Sequence, residues 1–338
     1  MKSLLKKNEF FVAITLLVMC ITIGAINPAF FSPVNFVGLL RQCIVSGIMA
    51  FALMMGIIAG GIDVSFPAIA VCSMYMTTKY MDKIQFSGSV AVPIIMAIAI
   101  GTILGFINGF IITQFKLPAF IVTLGTSSLF YGLLVSVLGS KPVNRLVLPM
   151  ETFAKGGFFT VSNPNTSATL PYTFAFLVVI GIIVFIILKY TMLGRGIYAI
   201  GGDRISAERV GFNVRGITIF VYTFIGAAGG LAGIIHTIQN RICVPTDLMG
   251  NEMMVIAAVV LGGTNINGGR GTVLGTILGT LLITITSNSL ILVGIPSHWQ
   301  RFATGLVIVL GTSLSAYQAM KSANKIPKIL DDADEVKA

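Results

Sequence analysis

The chain has 338 residues, of which 55% are hydrophobic and only 10% are charged, and its mean hydropathy is +0.94. A soluble domain carries roughly 25% charged residues, so the composition excludes an ordinary soluble protein and predicts an all-α, polytopic membrane protein. The net charge of +10 would indicate nucleic acid for a soluble chain. In a membrane protein, basic residues hold loops in the cytoplasm, so we expect no nucleic-acid partner.

Ten membrane spans are predicted from the apolar runs, because about 20 apolar residues cross the hydrocarbon core. No small-residue cleavage site follows the first run, so we interpret it as a retained span and not as a signal peptide. We expect one transmembrane domain over residues 1–338. The spans are 10–27, 42–60, 64–80, 90–113, 119–139, 171–189, 215–237, 252–262, 272–294 and 300–317.

The distribution of basic residues predicts that both termini lie in the cytoplasm. The most basic stretch, 189–215, carries five Lys or Arg and two acids between two apolar runs. The longest external loop, 140–170, contains Pro, Gly, Asn and Ser without a helical period. With Lys189 and Arg215 counted as internal, 14 of the 22 Lys and Arg fall on the cytoplasmic side. The cytoplasmic regions are 1–9, 61–63, 114–118, 190–214, 263–271 and 318–338.

Glycines recur every four residues in three of the predicted spans. Such ridges let helix backbones approach closely in lipid, so we interpret them as packing surfaces. Their similar placement in the fourth and ninth spans hints at an internal repeat. The ridges are Gly101, Gly105 and Gly109; Gly226 and Gly230; and Gly271, Gly275 and Gly279.

Two short spans end in Gly-Gly loops, at 59–65 and 261–271. Glycine pairs break a helix and expose backbone groups that lipid cannot satisfy, so these segments must pack in protein or line a wet cavity. Their corresponding positions in the two halves indicate a translocation pathway. Asp63 is costly near hydrocarbon and is a functional candidate. The alternative is that Asp63 or Ser65 caps the next helix.

No motif for catalysis is recognised. Residues 263–270 resemble a phosphate-binding loop, but Gly269 replaces the lysine and Arg270 replaces the Ser/Thr. We expect no enzymatic activity and no metal site, and we interpret His236 and His298 as interfacial residues at external span ends. The scattered cysteines are interpreted as core residues. They are Cys20, Cys43, Cys72 and Cys243.

Four blocks, in order along nearly the whole chain, resemble the permease subunits of ribose-type ATP-binding cassette (ABC) importers, a family that includes xylose, galactose and autoinducer-2 permeases. The chain departs from the commonest family pattern at Phe66 and Pro67, at Asp203 and at Met253, which leaves the sugar open. The blocks are GGIDVS at 60–65, INGFIITQFKLPAFIVTLGT at 107–126, GRGIYAIGGDRISAERVGF at 194–212 and EMMVIAAVVLGGTNINGGRGTVLGTILGT at 252–280.

The resemblance implies a ten-helix permease of the bacterial plasma (inner) membrane that carries a simple sugar or sugar-like solute inward. It implies a cytoplasmic ABC ATPase that binds ATP and Mg, a solute-binding protein outside the cell, and a second copy or related permease as partner. It implies no cofactor on this chain. We expect the substrate path to follow the interface between the two permeases, near 60–66 and 262–271.

The resemblance also places a coupling helix at about 203–211, which ATP-driven closure of the ATPase would push. The residues agree, since Gly201 and Gly202 break the preceding structure and Asp203 is a suitable N-cap. The alternative is a solvated charged loop. The expected coupling residues are Gly201, Gly202, Asp203, Ser206, Ala207, Glu208, Arg209 and Gly211.

A neutral sugar needs hydroxyl and amide partners, which predicts a set of contacts in the pathway. An ion-coupled transporter, the main rival, needs several intramembrane carboxylates, and only Asp63 qualifies. An intramembrane enzyme and a structural scaffold are weaker rivals, and an autoinducer-2 permease is the alternative within the family. The predicted pathway residues are Asp63, Ser65, Asn108, Thr123 and Asn267.

Overall fold

The computed structural model describes residues 8–163 and 166–292 and isolated positions up to 309. The predicted span 300–317, the tail 318–338 and His298 are therefore not covered by its continuous part. A 3₁₀-helix, Pro28–Phe31, precedes α2. The helices are α1 Asn8–Ile26, α2 Pro33–Ile58, α3 Phe66–Lys83, α4 Ala91–Phe115, α5 Ala119–Leu138, α6 Leu148–Lys155, α7 Phe174–Tyr190, α8 Met192–Gly202, α9 Arg204–Arg209, α10 Val214–Asn240, α11 Glu252–Leu261 and α12 Val273–Leu292.

Part of the predicted loop 140–170 has regular secondary structure. It contains α6 and an antiparallel hairpin of β1 Gly157–Asn163 and β2 Thr166–Pro171. The prediction of an all-α fold is therefore wrong at this hairpin, and the prediction that the loop has no helical structure is wrong at α6. The Thr160 and Thr169 hydroxyls pair across the two strands at 2.8 Å.

The helices run between two faces of the molecule. α7 connects the hairpin at its start to α8 and α9 at its end. α10 then returns to the hairpin, where the Gln239 side chain donates to the Thr173 hydroxyl over 2.9 Å. We call the end that carries β1 and β2 the hairpin face, and the end that carries α9 the α9 face.

The ends of α2 lie on both faces. Near its start, Arg41 donates to the Gln239 carbonyl over 2.8 Å at the hairpin face. Its last residue, Ile58, accepts the Gly269 N–H over 2.9 Å at the α9 face. The helix begins nine residues before the predicted 42–60, because Ser32 caps it and Pro33 opens it.

α1 begins at the α9 face. The Glu9 side chain of α1 contacts Thr272. The carbonyl of the preceding residue, Gly271, accepts a hydrogen bond from Tyr198 of α8. The start of α1 and the segment 190–214 thus share one face, as the predicted layout requires. Which face is cytoplasmic remains a prediction.

Five described helices, α1, α2, α4, α5 and α10, are each long and apolar enough to cross a membrane. α7 and α8 together form a sixth candidate, bent by 75° at their junction. α3, α11 and α12 occupy three further predicted spans, although α11 has only ten residues. The chain is thus a multi-pass helical protein, and the number ten stays a prediction.

The core lies around α2, α3 and α10, and glycines determine how closely α10 packs on α4. A Cβ added at Gly101 would lie 2.2 Å from the Gly226 carbonyl oxygen, and one at Gly105 would lie 2.3 Å from the Tyr222 oxygen. Only glycine permits this backbone contact.

Gly275 and Gly279 pack on α11 in the same way. A Cβ there would approach the carbonyl oxygens of Gly262 and Ala258 to 2.0 and 1.9 Å. Gly271 differs from the prediction, because it precedes α12 and faces the Ile58 side chain.

Candidate functional site

The short helix α9 projects from the α9 face. The Asp203 carboxylate accepts the Ile205 N–H over 2.9 Å and the Ser206 hydroxyl over 2.7 Å, which fixes the N-terminus of the helix. The same hydroxyl bond holds the pKa of Asp203 below its usual value. Gly211, at φ +96°, ends the segment in the left-handed conformation that favours glycine.

The outer surface of α9 combines charge with exposed apolar groups. Of its six residues only Ala207 is buried, whereas Glu208 and Arg209 are exposed. Ile205 and Val210 beside them are 62% and 79% exposed. Apolar side chains bordered by charges on a projecting helix are typical of a protein contact surface.

The glycine pair before α9 lies inside a helix. Gly201 and Gly202 are the last two residues of α8, so the helix ends at the predicted glycine pair and the break follows at Asp203. α8 itself was not predicted. Its start is capped by the Thr191 hydroxyl, which accepts the Gly194 N–H over 3.1 Å.

Three glycine pairs meet behind α9. A Cβ at Gly201 would lie 1.7 Å from the Ile58 carbonyl oxygen and 2.6 Å from the Gly269 nitrogen. A Cβ at Gly268 would lie 2.6 Å from the Gly201 oxygen and 3.0 Å from the Gly60 Cα. We call the three pairs, Gly60–Gly61, Gly201–Gly202 and Gly268–Gly269, the glycine junction.

The glycine junction joins α8 to both interrupted segments that the sequence singled out. Segment 59–65 contributes the first pair and segment 261–271 the third, and both touch Gly201. The Tyr198 hydroxyl adds a hydrogen bond of 2.8 Å to the Gly271 carbonyl. These contacts are backbone to backbone, so α8 packs directly against both segments.

Four of the five predicted pathway residues meet in one buried cluster. One Asp63 carboxylate oxygen accepts the Ser65 N–H and hydroxyl, both over 2.6 Å. The Asn108 amide donates to the Ser65 hydroxyl over 2.7 Å, and Thr123 accepts the Val64 N–H over 3.2 Å. We call Asp63, Ser65, Asn108 and Thr123 the Asp63 cluster.

The Asp63 cluster is closed to solvent, since all four of its side chains are 0% exposed. Asp63 forms an Asx-type turn with Ser65 immediately before α3, and Ser65, at the N-cap position, makes no side-chain capping bond. Asn267, the fifth residue, lies apart on an exposed turn in which its N–H donates to Asn265 over 3.2 Å. The pathway role of all five residues remains a prediction.

The sequence analysis missed a cavity of about 260 Å³ between α2, α10, α11 and α12. Its polar lining includes Gln42, Ser46, His236, Asn251 and Thr284. The available signal was the i, i+4 spacing of Gln42 and Ser46, which places two polar groups on one side of an apolar helix.

A second cavity, of about 230 Å³, lies on the hairpin face and is lined by three cations, Arg41, Lys155 and Arg241. The only described acid bonded to one of them is Glu151, 2.8 Å from Lys155. This pairing holds the pKa of Glu151 below its usual value. The surface is therefore predominantly positive.

The described residues contain no group of three or more His, Cys, Asp and Glu side chains that could hold a metal ion. His236 lies near the hairpin face, 3.4 Å from Asp247. The four cysteines are free, three of them buried and Cys20 half-buried.

Comparison with known proteins identifies the family. The family model described as the permease component of the branched-chain amino acid transport system matches residues 35–311. The chain belongs to this permease family. No solved structure matches it.

Individual relatives are similar over almost their whole length. The ribose import permease of Bacillus subtilis is 34% identical over 88% of this chain and 90% of its own. The ribose import permease of Haemophilus influenzae is 33% identical over 95% of this chain and 96% of its own. The galactose/methyl galactoside import permease of Haemophilus influenzae is 29% identical over 94% and 96%. This permease is therefore a transport subunit of the kind found in ABC importers.

Proposed function

We propose that this permease is the membrane-spanning subunit of an ABC importer in the bacterial inner membrane, and that it carries a simple sugar inward. The observation that carries the proposal is the glycine junction behind α9. The junction connects α9 to both interrupted membrane segments, and the exposed surface of α9 is suited to a protein partner. Ribose is the first candidate, because the most similar of the relatives given above are named ribose permeases.

The energy enters at α9. A separate ATPase closes on binding ATP and pushes the surface formed by Ile205, Glu208 and Val210. Gly201 then transmits the displacement to Ile58 at the end of α2 and to Gly269 beyond α11. Nucleotide binding thereby favours one of two packings of the helices, as a coupled two-state transition requires.

The solute arrives at the hairpin face, carried by a solute-binding protein outside the cell. Arg41, Lys155 and Arg241 give this face a positive cavity. Acidic side chains on the binding protein would complement it, accelerate encounter and fix orientation. Two permeases, identical or related, complete the assembly.

An ion-coupled transporter is the less favoured function. Such a mechanism needs a carboxylate that meets the aqueous pathway, and the one intramembrane candidate, Asp63, is 0% exposed and bonded within its cluster. An autoinducer-2 permease remains the alternative within the family, since one relative carries that name at 28% identity.

Proteoliposomes distinguish these functions. The permease is reconstituted with its ATPase and binding protein, and uptake of radiolabelled D-ribose is measured with internal or external ATP and with imposed proton or sodium gradients. We expect uptake only with ATP on the ATPase side and only with the binding protein present. Uptake that follows an ion gradient without ATP would falsify the proposal, and ATP-driven uptake of autoinducer-2 but not of sugars would select the family alternative.

A further inference from the structure

The cavity between α2, α10, α11 and α12 has the chemistry of a site for a neutral polyol. Amide, hydroxyl and imidazole groups line it, from Gln42, Ser46, His236, Asn251 and Thr284. None of its lining residues is Lys, Arg, Asp or Glu. Uncharged donors and acceptors match sugar hydroxyls without the desolvation cost that fixed charges carry inside a membrane.

Most of the remaining residues that line the cavity are apolar. Met49 on α2 and Met254 on α11 are among the residues that line it. Sites for small molecules combine an apolar lining with a few polar groups that fix orientation. The volume of about 260 Å³ lies just below the roughly 300–1,000 Å³ of drug-sized sites, which suits a solute as small as a monosaccharide.

The cavity lies toward the hairpin face. Gln42 follows Arg41, which binds the Gln239 carbonyl at that face, and His236 lies less than one turn from Gln239. Asn251 lies at the N-cap position, directly before the start of α11. The cavity is thus within reach of a solute delivered at the hairpin face.

Two walls of the cavity end at the glycine junction. α2 ends at Ile58, whose carbonyl accepts the Gly269 N–H, and α11 is followed directly by the segment 261–271. A displacement at Gly201 therefore reaches both walls through backbone contacts. This geometry gives α9 a route for opening and closing the cavity.

We propose that this cavity is the intramembrane binding site for the transported sugar, and that the Asp63 cluster is not. The inference rests on the proposed function and deepens it by naming the site. Ser46, His236 and Asn251 donate to and accept from the sugar hydroxyls, and Met49 and Met254 contact its carbon-bound hydrogens. When α2 and α11 move, the site changes its access from the hairpin face to the α9 face.

Filling the cavity is the first test. Met254→Trp places a large ring in it, whereas Met253→Trp on the same helix points outward, since Met253 is 60% exposed. In the reconstituted complex we expect Met254→Trp to lower D-ribose uptake about tenfold or more, with basal ATP hydrolysis retained. We expect Met253→Trp to stay within about twofold of wild type. Equal uptake by the two variants would overturn the proposal.

A milder variant covers the case in which Met254→Trp does not assemble. Ser46→Ala removes the hydroxyl of a half-buried lining residue and leaves a small side chain. We expect the KM for D-ribose to rise several-fold, up to about tenfold for one lost hydrogen bond, with little change in kcat. An unchanged KM for Ser46→Ala would count against the proposed site.

Cysteine labelling tests the cavity independently of the sugar. In a cysteine-free background, Ser46→Cys is treated with a membrane-impermeant maleimide from the hairpin face, with Met253→Cys as control. We expect Ser46→Cys to react and D-ribose to slow its reaction, while the reaction rate of Met253→Cys, outside the cavity, does not change with D-ribose. If Ser46→Cys is not labelled, the proposal that water reaches the cavity is wrong. Labelling without ATP-driven uptake of D-ribose, D-galactose or D-fructose would instead contradict the proposed function.

Discussion

Two polar regions lie within the apolar helices, and they differ in access. The Asp63 cluster is fully buried, and its side chains bond to one another and to the backbone of the segment before α3. The cavity at Ser46 and Asn251 is open, and both of these side chains are half-buried beside free volume. The comparison shows that polar residues near the break before α3 can bond to one another and stay closed to solvent.

The two regions share one mechanical connection. The Asp63 cluster follows Gly60 and Gly61, and α11 of the cavity leads to Gly268 and Gly269. Both glycine pairs contact Gly201. In the proposed mechanism, one region supplies a rigid support and the other a variable volume, and α8 and α9 act on both.

The largest expected effect comes from the contact that joins the two regions. Gly201→Ala places a Cβ 1.7 Å from the Ile58 carbonyl oxygen, which is backbone and cannot rotate away. We expect transport or assembly to fall about tenfold or more. Gly202→Ala is the matched control, because its Cβ meets nothing within 4 Å. Size-exclusion yield and ATP-driven uptake measure the difference. Equal yield and uptake for the two variants would contradict the requirement for close backbone contact at the glycine junction.

The next-largest effect tests whether Asp63 stabilises the fold or contacts the solute. Asp63→Ala removes the acceptor for the Ser65 N–H and hydroxyl. Leaving buried donors unpaired costs on the order of 1–3 kcal/mol, so we expect a lower thermal midpoint in detergent. The ratio of D-ribose to D-galactose uptake should stay as in wild type. A changed ratio with an unchanged midpoint would assign Asp63 to the solute path.

A smaller effect is expected at the hairpin face. Arg241→Glu reverses one of the three cations of the positive cavity. We expect affinity for the binding protein to fall about tenfold at low salt and less at high salt, because salt screens exposed charges. Arg145→Glu, on the same face but outside the cavity, is the control. If both variants lost the same affinity for the binding protein, the effect would come from net charge and not from the cavity.

The smallest effect is expected at the cap of α9. Asn caps a helix as well as Asp does, so Asp203→Asn should keep coupling within about twofold of wild type, whereas Asp203→Ala should lower it more. Because the folded-state pKa of Asp203 is depressed, the stabilisation by its charge is present at neutral pH and is lost only as the pH falls through that lowered pKa. Coupling should therefore not vary through Asp203 between about pH 5 and 8. A loss near neutral pH that disappears in Asp203→Asn would contradict this.

Local signals in the sequence were sufficient for several elements. Asp203 and Gly211 flank α9, close to the predicted limits of 203 and 211, and α11 ends one residue before its predicted limit. The start of α2 was misjudged because Arg41 looked like a span boundary, although Ser32 and Pro33 already carried a helix-start signal.

Contacts between distant segments could not be predicted from local patterns. The bond between Asn108 and Ser65 joins residues 43 positions apart. The contact of Gly201 with Ile58 and Gly269 depends on how three separate segments pack. For the same reason, composition could identify polar residues in the spans but could not separate the closed cluster from the open cavity.

The most direct test of the account is the coupling ratio of a double variant on α9. Glu208→Ala with Arg209→Ala removes two exposed charges while leaving the buried Ala207 and the Asp203 cap in place. In proteoliposomes we expect solute uptake per ATP hydrolysed to fall about tenfold, with the helix bundle equally stable. An unchanged ratio, with the ATPase still bound and uptake still driven by ATP, would contradict the central claim that energy enters through α9.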